Sequence, residues 1–170
     1  MIGPDEVHQR RIAVDGFNVL VSVEAAMSGG VVLCGRDRCY RDMASMHGSY
    51  RKVSETDPAV NIIGQVLATA KPASVIWLLD RPVSNSGRLA ALIRNTAVRN
   101  RWPWSVELAD NPDSDLKRFE DVVATADGEI LNDVNVWFNL ARQVISNAVP
   151  NAWIVDLSEW ECDDYSESGS

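Results

Sequence analysis

Apolar residues along this chain come in short unbroken runs set between longer stretches of mixed polarity. Ile12-Ala13-Val14 is one such run, and Val75-Ile76-Trp77-Leu78-Leu79 is a second. A strand covered on both faces shows an unbroken apolar run rather than strict alternation, so the pattern predicts buried parallel strands. The predicted strands are, in order, about Arg11 to Val14, Ala73 to Leu79, Trp102 to Ala109, Asp121 to Thr125 and Trp153 to Val155. Val31 to Cys34 reads as an extra strand or hairpin arm. Helical spacing fills the gaps. A short helix is expected over Val19 to Met27, ended by Gly29-Gly30. A second starts with Asp57 as N-cap and Pro58 in its first turn, and stops at Lys71-Pro72. A third is capped by Ser84 or Ser86 and runs to about Arg99, with Leu89, Leu92, Ile93, Thr96 and Ala97 facing inward. A short helix over Leu116 to Phe119 and a longer one from Asn132 or Asp133 to Ser146 complete the set. Strands alternating with helices make right-handed βαβ units, and the expected fold is a three-layer α/β domain around a parallel sheet.

With 170 residues, 46% hydrophobic and 24% charged, the chain suits one globular domain, expected over residues 1–157 with an irregular insertion at about 35–55. No apolar run reaches the roughly 20 residues of a membrane helix, and Met1 to Arg10 has no apolar signal core. A cytoplasmic location is the expectation. Cys34, Cys39 and Cys162 lack metal-site spacing and read as free thiols.

The net charge of −8 argues against nucleic-acid binding taken whole, but the charge is unevenly spread. Six acids and no Lys or Arg lie between Asp156 and Ser170, a tail whose Ser/Glu/Asp-rich composition predicts disorder over 158–170. Five arginines and no acid lie between Arg81 and Arg101. A second basic stretch holds Arg36, Arg38, Arg41, Arg51 and Lys52.

Three predicted strands end in, or just before, an acid: Asp15, Asp80 and Asp127. Parallel strands direct their carboxyl ends to one edge, where open α/β sheets bind ligands. In the doubly wound order 3-2-1-4-5 the second and fourth strands flank the first, and the three acids stand side by side. Neighbouring strands lie roughly 4.8 Å apart, so these like charges raise one another's pKa values unless a hard cation is present. Mg²⁺ or Mn²⁺ suits such oxygen ligands. Asp113 or Asp115 is available as a fourth acid; Glu129 and Asp133 lie just past Asp127, and Asp110 ends an outer strand. Asn18 can bond the backbone or hold Asp15 in place.

Asp15-Gly16-Phe17-Asn18 resembles the opening motif of NYN-type members of the PIN-like nuclease superfamily. Leu78-Leu79-Asp80 resembles their second strand-end acid, and Val122 to Ile130, with Thr125 two residues before Asp127, resembles their fourth-strand signature. The motifs occur in the right order between Asp15 and Ile130. The resemblance implies the 3-2-1-4-5 sheet and a metal-dependent phosphodiesterase, commonly a ribonuclease, with Asp15, Asp80 and Asp127 as catalytic acids. It also implies a helical acid before the fourth strand, for which Asp115 is the first choice and Asp113 the reserve. The insertion is longer than a minimal member needs.

The chemistry implied is hydrolysis by a metal-activated water, with RNA as substrate and no nucleophilic side chain from the protein. Arg81, Arg88 and Arg51 are the expected phosphate-binding residues; Tyr40, Tyr50 or Trp102 are available as stacking platforms, but packing is the stronger reading for the two tyrosines and for at least one of Trp102 and Trp104. His47-Gly48-Ser49 reads as a turn or a phosphate-binding nest. A homo-oligomer is compatible with the sequence. The competing readings are a weakly active or inactive relative that binds RNA or protein, and a phosphatase or nucleotide-binding domain of another α/β family. Phe17 stands where a dehalogenase-type phosphatase needs a second Asp, and no P-loop or Gly-rich dinucleotide loop is present.

Overall fold

The computed structural model describes residues 1–43 and 54–159. Its centre is a four-stranded parallel sheet built from β1 (Arg11–Asp15), β4 (Ser74–Asp80), β5 (Trp104–Ala109) and β6 (Val122–Ala124), in the order β5-β4-β1-β6. A second, mixed sheet has the order β3-β2-β7, from β2 (Val31–Cys34), β3 (Tyr40–Asp42) and β7 (Trp153–Asp156). The fold is α/β, and the first four predicted strands stand in their predicted order.

The two faces of the parallel sheet follow from the period of two along each strand. Ile12, Val14, Val75, Trp77, Leu79, Val122 and Ala124 share the larger core with helices α1 (Gly16–Met27), α2 (Thr56–Ala70), α3 (Ser86–Asn100) and α6 (Leu140–Ala148). Ala13, Leu78 and Val123 point the other way, onto Leu116 of α4 (Pro112–Lys117) and Ile130 of α5 (Gly128–Asp133). Helices therefore cover both faces, and the runs are apolar throughout because neither face meets water.

The fifth strand is a correction. β7 does not extend the parallel sheet beside β6; it pairs in parallel with β2. The outer edge of β6 is taken instead by residues 136–138, through Val123 N–H to Val136 O (3.1 Å) and Phe138 N–H to Val123 O (2.9 Å), and Ile2 adds to that edge by donating to Trp137 O. The same segment replaces the first half of the helix expected from Asn132 or Asp133 to Ser146: α5 ends at Asp133, and the helix forms only as α6, from Leu140. Val134, Val136, Trp137 and Phe138 are β-branched or aromatic and favour extended backbone, and Asn139 restarts the helix by capping the Arg142 amide. Other boundaries shift less. α1 begins at Gly16, α4 begins at Pro112 under an Asn111 cap, and Asp57 sits inside α2 rather than capping it.

The edge strand β5 is closed by two arginines of the basic stretch. Arg94 donates to Val106 O (2.6 Å) and Arg81 to Leu108 O (2.6 Å), capping successive outward carbonyls that a foreign strand could otherwise pair with. Trp102 and Trp104 also serve the fold. Trp104 lies 4.6 Å from Trp102 and 5.3 Å from the buried Trp77 ring centroid, and Trp102 packs where a side chain on Gly64 of α2 would stand. No helix among the described residues is long and apolar enough to cross a membrane.

Candidate active site

The site begins with register. Asp15 is aligned with Leu78 across β1 and β4, so Asp80 lies one pleat further along the same face, and Thr125 lies beside Asp15 just past the paired Ala124. All three belong to the face that carries Ala13, Leu78 and Val123, the side covered by α4 and α5. Gly16 lets the chain turn into α1 against β4: a Cβ there would stand 2.9 Å from the Leu78 carbonyl oxygen and 2.4 Å from Leu79 Cδ2.

Asp15 is buried, and one hydroxyl ties it to the next strand. Thr125 Oγ1 donates to Asp15 Oδ2 at 2.7 Å and accepts from the Asp127 amide at 3.0 Å. Asn18 Oδ1 accepts from the Ala126 amide at 2.8 Å. Asp127 caps α5, its Oδ1 accepting from the Glu129 amide at 2.7 Å and the Ile130 amide at 3.3 Å. Asp15 and Asp127 thus stand at the same carboxyl rim, joined through Thr125.

Burial pushes the Asp15 carboxyl up to about 7. The Thr125 hydroxyl and the nearby Asn18 backbone amide pull the other way, and the carboxylates of Asp113 and Asp80 add to the rise. Asp80 is raised as well, first by burial and then by Asp113. The α4 acid whose charge acts on both is Asp113, the reserve; Asp115, the first choice, is exposed like Asp113 but lies two positions on, slightly more than half a turn around the helix from Asp113.

The remaining candidates divide. Asp133 pairs with Lys117 at 2.8 Å, and Glu129 and Asp113 also act on that ammonium. Asp110 pairs with Arg81 at 2.8 Å, so the Arg81 guanidinium is engaged at the end of β5. Arg88 is exposed near the start of α3. Tyr40 is buried beneath the Arg142 guanidinium, 5.2 Å from its ring centroid, and packs rather than offering a platform, whereas Trp102 packs against Trp104 and over Gly64 while staying partly exposed. Arg51, Tyr50, the His47 to Ser49 turn and the tail from Trp160 onward lie outside the described residues. Sequence reasoning missed Arg41 as a site residue: its Nε donates to Ala126 O at 2.7 Å, from the β2–β3 hairpin. Only its place in a basic stretch hinted at it, and a contact between positions 41 and 126 has no local signature.

Among the described residues, no three His, Cys, Asp or Glu side chains already converge closely enough to hold a metal ion. The donor chemistry still suits one kind of cation. Asp15 and Asp80 are hard oxygen donors raised by burial and by Asp113, a repulsion that a divalent cation relieves. Mg²⁺ keeps several waters and needs only one or two direct carboxylates, so the set fits a hydrated ion rather than an all-protein cage.

No solved structure matches the chain. An uncharacterized protein of Methanocaldococcus jannaschii is 36% identical over 127 residues, covering 75% of this chain and 60% of that protein, so the chain spans less than two thirds of its relative's length. The family described as "Domain of unknown function (DUF5616)" matches residues 4–143, a span that holds Asp15, Asp80, Asp113, Thr125 and Asp127, and the chain belongs to that family.

Proposed function

We propose that this chain is a PIN-like, NYN-type hydrolase that cleaves RNA with Mg²⁺ or Mn²⁺. The observation that carries the reading is the placement of Asp15 and Asp80 on one face of adjacent strands, with Asp113 opposite them on α4 and Asp127 at the same rim. Asp15 and Asp80 are the residues that would hold the ion directly, Asp113 through water. Mg²⁺ or Mn²⁺ bound there would lower the pKa of a coordinated water and stabilise charge developing on a phosphodiester. The protein's own part is positional. Thr125 fixes the Asp15 carboxylate, Asn18 and the Thr125 hydroxyl fix the 125–127 turn, and Asp127 orders α5 beside the cleft. Arg88 is the exposed cation at the start of α3 that would meet a phosphate backbone, and a cytoplasmic role suits the three thiols.

The test is cleavage of single-stranded RNA with Mn²⁺, with EDTA, and in Asp15→Asn and Asp80→Asn. The reading expects cleavage that EDTA abolishes and that both substitutions remove; undiminished cleavage in Asp15→Asn rejects it. A second reading is favoured by the lack of a preassembled three-donor group among the described residues. It makes the chain a weakly active or inactive module that binds RNA or a protein. Salt-dependent RNA binding without turnover in Mn²⁺ separates the two.

A further inference from the structure

The segment Thr125-Ala126-Asp127 carries the link between the two rim acids, and both polar groups of its middle residue are held from outside. The Ala126 N–H is taken by Asn18 Oδ1 on the first turn of α1 (2.8 Å). The Ala126 carbonyl is taken by Arg41 Nε from β3 (2.7 Å). Arg41 is itself held, because its other guanidinium nitrogens form a two-point pair with the Asp37 carboxylate in the β2–β3 turn. Asp37 also accepts from the Cys39 amide at 3.0 Å, so the turn that carries it is braced. Gly35 makes room for this arrangement: a Cβ there would stand 2.7 Å from Arg41 Nη1. The guanidinium is planar and rigid, so fixing two nitrogens on Asp37 aims the third at Ala126. The 125–126 peptide is thus held through its N–H and the 126–127 peptide through its carbonyl, and with both held neither can rotate to let Asp127 swing away from Thr125.

We propose that Arg41 is a positioning residue of the site. From the mixed sheet it holds the carbonyl of the Ala126–Asp127 peptide and so fixes the spacing between the Asp15 strand end and the Asp127 cap. This rests on reading the rim as the functional site, but the clamp is measurable without any activity. The hairpin thereby has a task in the fold: it reaches across to the acid-bearing turn that β6 alone, only three residues long, holds weakly.

The experiment is amide hydrogen exchange by NMR, with Mn²⁺ affinity measured alongside. In Arg41→Gln the amides of Ala126 and Asp127 should exchange about tenfold faster or more, while the Leu33 and Arg41 ladder amides and those of β1 keep their protection. Asp37→Asn, which keeps Nε on Ala126, should leave Ala126 and Asp127 much closer to wild type. Arg41→Lys, with the charge but a single point donor, should fall between. The proposal is overturned if Ala126 and Asp127 exchange at wild-type rates in Arg41→Gln. It is equally overturned if Arg41→Lys and Asp37→Asn lose protection as fully as Arg41→Gln does, which would mean that the hairpin's general stability governs the turn. If wild type binds no Mn²⁺ but the exchange pattern is as expected, the clamp stands and the metal-dependent reading falls.

Discussion

The Thr125 hydroxyl donates to the buried Asp15 carboxylate at 2.7 Å, across 110 positions of sequence. It joins the ends of two neighbouring strands and passes the contact on to the Asp127 amide. Removing the hydroxyl leaves a buried carboxylate short of a donor, which costs about 1–3 kcal/mol. Thr125→Val should therefore lower stability by that amount in urea unfolding at pH 8. Thr125→Ser, which keeps the hydroxyl, should stay within about 1 kcal/mol of wild type.

Asp15 gives the fold a definite pH dependence. Burial keeps its proton on up to about pH 7, whereas an aspartate in the unfolded chain loses it near 4. Between those values the native state holds the extra proton, so this group makes stability fall as pH rises from about 4 to about 7 and then level off. Asp15→Asn removes the buried charge. Without metal it should be more stable than wild type at pH 8, on the order of a few kcal/mol, and the gain should shrink toward pH 4. Urea midpoints at pH 4, 6 and 8 measure this; a loss of stability at pH 8 contradicts the assigned burial.

Gly16 is needed because α1 starts hard against β4. A methyl group there meets a main-chain carbonyl at 2.9 Å, which cannot move as a side chain can. Gly16→Ala should cost about 1–3 kcal/mol and lower the thermal midpoint, even though alanine is the better helix former.

Of the two readings open to Trp102, base stacking and packing, the structure has it packed. It fills the space over Gly64 and lies against Trp104. Trp102→Ala should cost about 2–4 kcal/mol in stability and leave RNA affinity at the temperature of measurement unchanged. A loss of RNA affinity in Trp102→Ala measured well below its unfolding midpoint, where the chain is folded, would return Trp102 to the interface.

The parts of the fold legible in the sequence were those decided by local pattern. Unbroken apolar runs marked β1 and β4, and an acid at each carboxyl end placed Asp15 and Asp80 at one rim. What escaped was decided by long-range pairing. Val136 falls in helical step with Leu140 and Val144, yet it lies in the extended segment that pairs with Val123. That pairing occupies the edge where β7 was expected. Asp113 and Asp115 are equivalent in sequence, and only the seating of Leu116 against the sheet separates them. Arg81 read as a phosphate ligand because it follows Asp80; its bonds to Asp110 and the Leu108 carbonyl at the end of β5, made by an exposed side chain, had no local signature.

The central claim is that Asp15, Asp80 and Asp113 form one cation site, and Mn²⁺ titration at pH 8 followed by electron paramagnetic resonance addresses it most directly. The account predicts one bound ion per chain, with affinity about tenfold weaker or worse in Asp15→Asn and in Asp80→Asn, weaker in Asp113→Asn, and unchanged in Asp115→Asn. Absence of binding in the wild-type chain, or binding that survives Asp15→Asn intact, would contradict it.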